Sequence, residues 1–198
     1  LNPNEFSKDG TVSINRLSYS NDGTLIAYGL STSGSDWQEI KIRNIDTGKD
    51  YNEIIKWSRN GGIAWKHDNS GFYYNRYPEP GTVAKEDEAK YNRLYWHKLD
   101  TPQSEDKLIY ERPDCKEMSF YPFITDDGEY LVLYISCGTT RENRIYYRRV
   151  DSNDDFIRLL DKSDASYDFI DNNGSNFYFI TDLDAPKGKI ISIDLEKP

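Results

Sequence analysis

Residues 16–31 read RLSYSNDGTLIAYGLS, and residues 38–46 read QEIKIRNID. These stretches contain an aromatic-rich strand, a turn of the Asn/Asp-x-Gly kind, a second apolar strand and, after a polar loop, a third strand that ends in aspartate. The turn suits a hairpin because Gly and Asn accept positive φ at little cost. The pattern therefore predicts three antiparallel strands in a row.

The same pattern recurs three more times along the chain. Its copies read IAWKHDNSGFYYNRY with RLYWHKLD, FYPFITDDGEYLVLYIS with RIYYRRVD, and YDFIDNNGSNFYFITD with KIISIDL. The turn glycines are Gly23, Gly71, Gly128 and Gly174, and the closing aspartates are Asp46, Asp100, Asp151 and Asp194. A fourth strand fits after each of the first three copies, in NEIIKW, DKLIYE and FIRLL. Four short strands in a repeat of roughly 50 residues are typical of a propeller blade.

The sequence therefore predicts an all-β fold of about four antiparallel, four-stranded β-propeller blades, the last one incomplete. The predicted blades cover residues 12–60, 61–114, 115–163 and 164–198. Blades stack face to face because one small sheet cannot bury both of its faces. Four blades form an arc unless the ring closes, and an arc leaves apolar end faces exposed. We therefore expect either self-association through these faces or limited stability of the chain.

Composition narrows the possible partners. Aromatic residues make up 14% of the 198-residue chain, which favours an all-β fold over disorder. The formal charge of −9 should repel a phosphate backbone, so we expect no nucleic-acid partner. No segment approaches the ~18 consecutive apolar residues that span a bilayer, and residues 1–14 lack the apolar run of a signal peptide. We expect no membrane partner.

The residues that could bind metal or carry catalysis are sparse. Cys115 and Cys137 have no CxxC spacing, which favours free thiols in a reducing compartment and a cytoplasmic location. His67 and His97 form neither HExxH nor a Cys/His cluster, so we predict no metal and no cofactor. We expect both histidines to lie at the surface or to be hydrogen-bonded.

A serine hydrolase carries its nucleophile in G-x-S-x-G, on a turn between a strand and a helix. The most similar string, Gly29-Leu30-Ser31-Thr32-Ser33, has Ser in place of the second Gly and extends a predicted strand. We therefore predict no catalytic residue in this chain.

The first repeat resembles the propeller of the prolyl oligopeptidase family. The resemblance rests on NPN at 2–4 with DGTV at 9–12, on AYGLSTSGSDW at 27–37, and on IIKW followed by GFYYNRYP. It implies a parent protein with a seven-bladed propeller and an α/β-hydrolase domain that carries Ser, Asp and His. This chain would supply about four of those blades and lack the hydrolase domain.

In that family the propeller caps the active site and admits only short peptides, which are cut after proline. The resemblance therefore implies two partners, short proline-containing peptides and the hydrolase domain. A related oligopeptidase that cuts after basic residues is a close variant. The alternative from another class is a non-enzymatic, propeller-like module that binds a protein or peptide.

The resemblance also implies residues that line the substrate cavity. Trp57 matches an aromatic position that packs against bound peptide, although a Trp that fills a gap between blades is equally consistent with the sequence. Ser136 and Thr139 match positions where some members have an arginine and a cavity-facing cysteine. Cys137 lies two residues from that cysteine position, and its role stays open.

Overall fold

The computed structural model describes residues 1–197, which form fifteen β-strands and three short 3-10 turns. The first sheet contains β1 (Val12–Tyr19), β2 (Leu25–Thr32), β3 (Trp37–Asn44) and β4 (Asp50–Arg59). The second contains β5 (Ile63–Trp65), β6 (Gly71–Arg76), β7 (Arg93–Lys98) and β8 (Lys107–Glu111). The third contains β9 (Met118–Ile124), β10 (Tyr130–Cys137), β11 (Asn143–Arg149) and β12 (Ile157–Leu160). The last contains β13 (Tyr167–Asn173), β14 (Asn176–Thr181) and β15 (Lys189–Asp194).

Each sheet is antiparallel with its strands in chain order, and the fourth sheet has three strands. This confirms the predicted all-β fold of blade-like sheets, the last of them incomplete. The third strands of the first three blades end earlier than predicted, at Asn44, Lys98 and Arg149. The expected closing aspartates lie in the turns that follow; Asp100, for example, has a φ of 61° that a strand cannot accommodate.

The turns between the first and second strands have the expected backbone at Gly23, Gly128 and Gly174, all with positive φ. In the second blade the turn differs, because Asn69 takes the left-handed conformation and Gly71 begins β6. A Cβ on Gly71 would lie 2.0 Å from the carbonyl oxygen of His97. Gly71 is therefore needed for the close approach of β6 and β7.

The core consists of three apolar clusters, each shared by two adjacent blades. Ile40, Ile42 and Ile55 of the first blade pack with Phe72 and Tyr74 of the second. The second and third blades share another cluster, and the third and fourth a third one. Their buried members include Tyr73, Leu94, Phe120, Leu131 and Leu133 in the second cluster and Tyr130, Val132, Phe177 and Phe179 in the third. Burial between blades, rather than within one blade, therefore holds the fold together.

Polar contacts tie neighbouring blades at both ends. At the end with the β1–β2-type turns, which we call the hairpin end, Asn69 donates to Asp22 at 2.7 Å and Asn172 donates to Asp127 at 2.6 Å. At the opposite end, the loop end, the second strand of each blade passes to the third. There the backbone N–H of Tyr77 donates to the carbonyl oxygen of Trp57 at 2.9 Å.

Among residues 1–197, one sheet face at each end of the stack has no blade packed on it. On the first blade Leu17, Tyr19 and Ile45 are exposed, Tyr19 to 57% of its surface. On the fourth blade Ile180 and Ile190 form a cross-strand pair whose second member is 69% exposed. The face of the first blade also surrounds an open cavity of about 450 Å³. The exposed side chains on the two faces mean that both ends of the stack present apolar surface.

Candidate functional site

A cavity of about 310 Å³ opens at the loop end of the first blade. Its volume lies at the small end of the range for ligand pockets, roughly 300–1,000 Å³. The lining consists mainly of β2, β3 and β4 side chains together with a proline from the loop of the second blade: Leu30, Thr32, Ser35, Trp37, Gln38, Glu39, Lys56, Trp57 and Pro80. The AYGLSTSGSDW block therefore provides much of one wall.

Trp57 enters this cavity from a bulge in β4. The β3–β4 ladder is regular up to Gln38 opposite Ser58 and is then interrupted before Ile40 opposite Ile55. Within the bulge Trp57 has a φ of 60°, a conformation that costs a non-glycine residue on the order of 1–2 kcal/mol. Bulges of this kind re-aim a side chain, and here the indole is half-buried in the cavity wall.

Trp37 stands in the same cavity and is fixed from several sides. Its backbone N–H donates to the Ser35 hydroxyl at 3.1 Å. Its ring makes an edge-to-face contact with Tyr77, with ring centroids 5.8 Å apart. The guanidinium of Arg59 lies over the ring and binds Asp36 at 2.5 Å. The Ser-Asp-Trp motif therefore positions an aromatic face toward the cavity.

The charges beside the cavity compensate each other. The ammonium of Lys56 lies 3.8 Å from a carboxylate oxygen of Glu39, and both side chains are about half exposed. The remaining walls include the two indoles and Pro80. An apolar, aromatic cavity with a neutral rim suits an uncharged ring or aliphatic group better than a charged one.

The other cavity residues expected from the sequence lie in the third blade, also at its loop end. Ser136 pairs with Ser119, whose hydroxyl lies 3.2 Å from that of Tyr77. Cys137 pairs with Met118 and is half-buried, whereas Thr139 lies in an exposed turn. None of the three lines the cavity around Trp57.

The two cysteines come together in the fold. Cys115 and Cys137 are both free thiols. Burial is the main cause that raises the pKa of the Cys137 thiol above its ordinary value, and the neighbouring Cys115 raises it further. A raised pKa keeps the thiol protonated and therefore a weak nucleophile near neutral pH.

The histidines also have distinct environments. His97 is buried and lies 2.7 Å from Asp106, as expected for a hydrogen-bonded histidine. His67 packs against the turn at Gly128. Among residues 1–197 no group of three or more His, Cys, Asp and Glu side chains could hold a metal ion. In the same part of the chain no helix is long and apolar enough to cross a bilayer.

The four stacked antiparallel blades have β-propeller architecture. The aromatic cavity opens at the loop end of the first blade. The family model described as the N-terminal β-propeller domain of prolyl oligopeptidase matches residues 1–198. The chain therefore belongs to the prolyl oligopeptidase N-terminal propeller family. This confirms the resemblance drawn from the sequence.

Curated relatives and solved structures agree with this assignment. Prolyl oligopeptidase A of Galerina marginata is 34% identical over 100% of this chain and 30% of its own length. Prolyl endopeptidase of Elizabethkingia meningoseptica is also 34% identical, over 100% of this chain and 28% of its own length. Prolyl oligopeptidase B from Galerina marginata, solved with a 35mer hydrolysis and macrocyclization substrate, superposes with a TM-score of 0.90 at 28% identity, covering 99% of this chain and 29% of that one. The chain thus spans under a third of the length of these relatives.

Of the residues that line this cavity, Trp57 was predicted from the sequence as a cavity residue, whereas Trp37 and Pro80 were not. For Trp37 the available signal was its position in the GSDW string, at the start of the strand that pairs with the one containing Trp57. Pro80 comes from a 16-residue loop between β6 and β7, and nothing in its local sequence indicates contact with the first blade.

Proposed function

We propose that this chain is the substrate-gating propeller of a serine endopeptidase that cleaves short peptides after proline. The observation that carries the proposal is the aromatic cavity formed by Trp37, Trp57 and Pro80 at the loop end. Aromatic faces bind a proline ring or an apolar side chain by contact alone, without the directional polar groups that catalysis needs. The propeller would thus select and hold the peptide, and a hydrolase domain would supply the acyl transfer.

The third blade contributes to the same end of the stack. Ser136 lies at the loop end, and with Cys137 and Thr139 it is proposed to contact a part of the peptide more remote from the first-blade cavity. Cys137 would act there as a small apolar surface, since its raised pKa disfavours the thiolate. A short peptide laid across the loop end could reach from one site to the other.

The test compares hydrolysis of a fluorogenic peptide with proline before the scissile bond. We expect no activity from the 198-residue chain and activity from the full-length product of its gene. In the full-length protein Trp57→Ala should raise KM several-fold more than it changes kcat, because the indole binds the peptide but takes no part in bond breaking. Leu108→Ala, an exposed leucine on the outer strand of the second blade, is the control and should leave KM unchanged.

No hydrolysis by the full-length protein would contradict the proposal and favour a non-enzymatic binding module. Activity that requires basic residues before the scissile bond would instead indicate the related oligopeptidase specificity. An unchanged KM in Trp57→Ala would show that this cavity does not bind the peptide, and the family assignment would still hold.

We also propose that the isolated chain self-associates head to tail, the face of Ile180 and Ile190 packing on that of Leu17 and Tyr19. These faces are apolar and lie at opposite ends of the stack, so one copy offers both halves of the contact. Sedimentation velocity over a hundredfold concentration range should show oligomers that Ile190→Asp reduces. Leu108→Asp, an exposed leucine on an outer strand, should have no such effect. A wild-type chain that stays monomeric throughout would contradict this proposal.

We propose a cytoplasmic location because the two cysteines are free thiols. Cys115 and Cys137 are neighbours in the fold yet free, which suits a reducing compartment. Microscopy of the tagged full-length protein tests the location directly, and a secreted or membrane-bound signal would contradict it.

A further inference from the structure

Buried polar groups form a chain between the first and second blades. His97 and Asp106 have fully buried side chains, and Nδ1 of the imidazole lies 2.7 Å from one carboxylate oxygen of Asp106. The other carboxylate oxygen accepts a hydrogen bond of 2.5 Å from the hydroxyl of Tyr74. Burial is the main cause that raises the pKa of Tyr74, and the nearby Asp106 raises it further. The phenol therefore keeps the proton that it donates to Asp106.

The chain continues from Tyr74 to Gln103. Because the Tyr74 hydroxyl gives its single proton to Asp106, it must accept from Gln103, whose Nε2 lies 3.2 Å away. This contact fixes the orientation of the Gln103 amide. Its second N–H donates to the carbonyl oxygen of Lys56 at 3.0 Å, and its Oε1 accepts from the backbone N–H of Lys56 at 3.0 Å.

The two backbone groups that Gln103 binds belong to the residue before Trp57. Lys56 lies in the β4 bulge, where the register with β3 is interrupted, and β4 is the outer strand of the first sheet. A side chain of the second blade, 47 residues further along the chain, therefore satisfies both backbone groups of Lys56 at this edge. The guanidinium of Arg76, also from the second blade, lies 5.7 Å from the centroid of the Trp57 ring.

We propose that Gln103 is a positioning residue for Trp57, holding the β4 bulge in the conformation that places the indole in the cavity wall. Gln103 does not itself line the cavity and takes its own orientation from Tyr74, Asp106 and His97. The inference rests on the proposed function insofar as that cavity binds the peptide. It makes the second blade responsible for the shape of a site that lies mainly on the first.

The indole N–H resonances of the ¹⁵N-labelled chain report on this arrangement without any peptide. The four tryptophans are Trp37, Trp57, Trp65 and Trp96, and Trp57→Phe assigns the resonance of interest. In Gln103→Ala we expect the Trp57 resonance to shift by more than its width or to broaden, while those of Trp65 and Trp96 stay in place. Ser104→Ala, an exposed neighbour in the same 3-10 turn, should move none of them.

Two further variants separate positioning from a general loosening of the fold. Gln103→Glu keeps the acceptor for the Lys56 N–H but loses both donated hydrogen bonds, so its shift should be intermediate. Tyr74→Phe leaves Gln103 bonded to Lys56 but removes its third partner, so the Trp57 resonance should move in the direction seen for Gln103→Ala and by less.

A Trp57 resonance that does not move in Gln103→Ala would overturn the inference, as would equal shifts of all four indoles. The positioning role of Gln103 and the proposed peptidase function can fail independently. If Gln103→Ala moves the Trp57 resonance but the full-length protein hydrolyses no proline peptide, the positioning role stands and the proposed function fails. If hydrolysis is normal and the resonance is unmoved, only the positioning role is lost.

Discussion

The interface between the first two blades and the interface between the last two differ in chemistry. The last two pack mainly through aromatic rings: the ring centroid of Phe177 lies 5.1 Å from that of Tyr130, and that of Phe169 lies 5.0 Å from that of Phe123. The buried amide of Asn143 adds a polar link, donating to the carbonyl oxygen of Tyr167 at 3.0 Å and accepting from its backbone N–H at 2.6 Å. The first two share an apolar cluster as well, but beside it lie His97 and Asp106 with fully buried side chains. Apolar contact is non-directional, whereas a buried hydrogen-bond chain requires one geometry.

The difference is related to the position of the cavity. The polar chain ends at Lys56, next to Trp57 in the cavity wall. Packing alone would hold the two blades together and still leave a bulged strand free to adopt other conformations. We infer that the apolar packing at both interfaces contributes mainly stability, and that the buried chain from His97 to Gln103 adds the precise placement of a single side chain.

The largest expected effect is on the aromatic interface. Phe177→Ala removes a fully buried ring and should lower the free energy of unfolding by about 3–5 kcal/mol. Urea denaturation measures it, with Ile180→Ala on the exposed face of the same strand as the control. A loss below about 1 kcal/mol would mean that the fourth blade is not held by this cluster.

The next effect tests the polar interface. Tyr74→Phe leaves the ring but deprives Asp106 and Gln103 of a partner, so the free energy of unfolding should fall by roughly 1–3 kcal/mol. Tyr73→Phe, the neighbouring tyrosine that packs toward the third blade, should cost less than about 0.5 kcal/mol. Equal losses in both variants would show that the hydroxyl of Tyr74 has no special role.

Trp57→Gly tests whether the Trp57 indole contributes little to stability, as expected for a side chain that lines a cavity. Glycine accepts the left-handed φ of this position freely, so relief of backbone strain should partly offset the lost packing of the half-buried indole. The net change in the free energy of unfolding should stay within about 1 kcal/mol. Trp65→Gly, in the buried cluster of the first interface, should cost several times more in the same urea experiment. Comparable losses would contradict a cavity role for Trp57.

The smallest effect concerns the turns at the hairpin end. The backbone N–H of Thr24, followed by the side chains of Asn69, Ser20 and Thr24, lowers the pKa of Asp22 below its ordinary value of 3.8. The stabilisation is thus fully present above pH 3.8 and is lost as the pH falls from there toward the folded-state pKa. Between about pH 6 and pH 3 the urea midpoint should therefore fall less in Asp22→Asn than in the wild type. An identical fall would exclude this carboxylate as a source of acid sensitivity.

The sequence predicted the local features of the fold well. Strand pairs joined by turns such as Asn21-Asp22-Gly23 depend on residues close together in the chain, so the repeat pattern was sufficient. The early ends of β3, β7 and β11 were missed because an aspartate near a turn does not indicate which residue forms the last ladder hydrogen bond.

The site was less accessible to sequence reasoning. Trp57 was identified through family resemblance, whereas its bulge and left-handed φ have no local signal. Gln103 lies in a polar turn that reads as an ordinary surface segment. Its contact with Lys56 exists only because two blades pack together, and contacts of that kind follow from tertiary structure rather than from periodicity.

The most direct test of the account is a titration of the ¹⁵N-labelled chain with an N-blocked Gly-Pro amide, followed through the indole N–H resonances. Trp37 and Trp57 line the cavity, while Trp65 and Trp96 pack between blades and serve as internal controls. We expect saturable shifts of the Trp37 and Trp57 resonances, with those of Trp65 and Trp96 unchanged. Shifts confined to Trp65 and Trp96, or none at saturating peptide, would contradict a proline-binding cavity on this propeller.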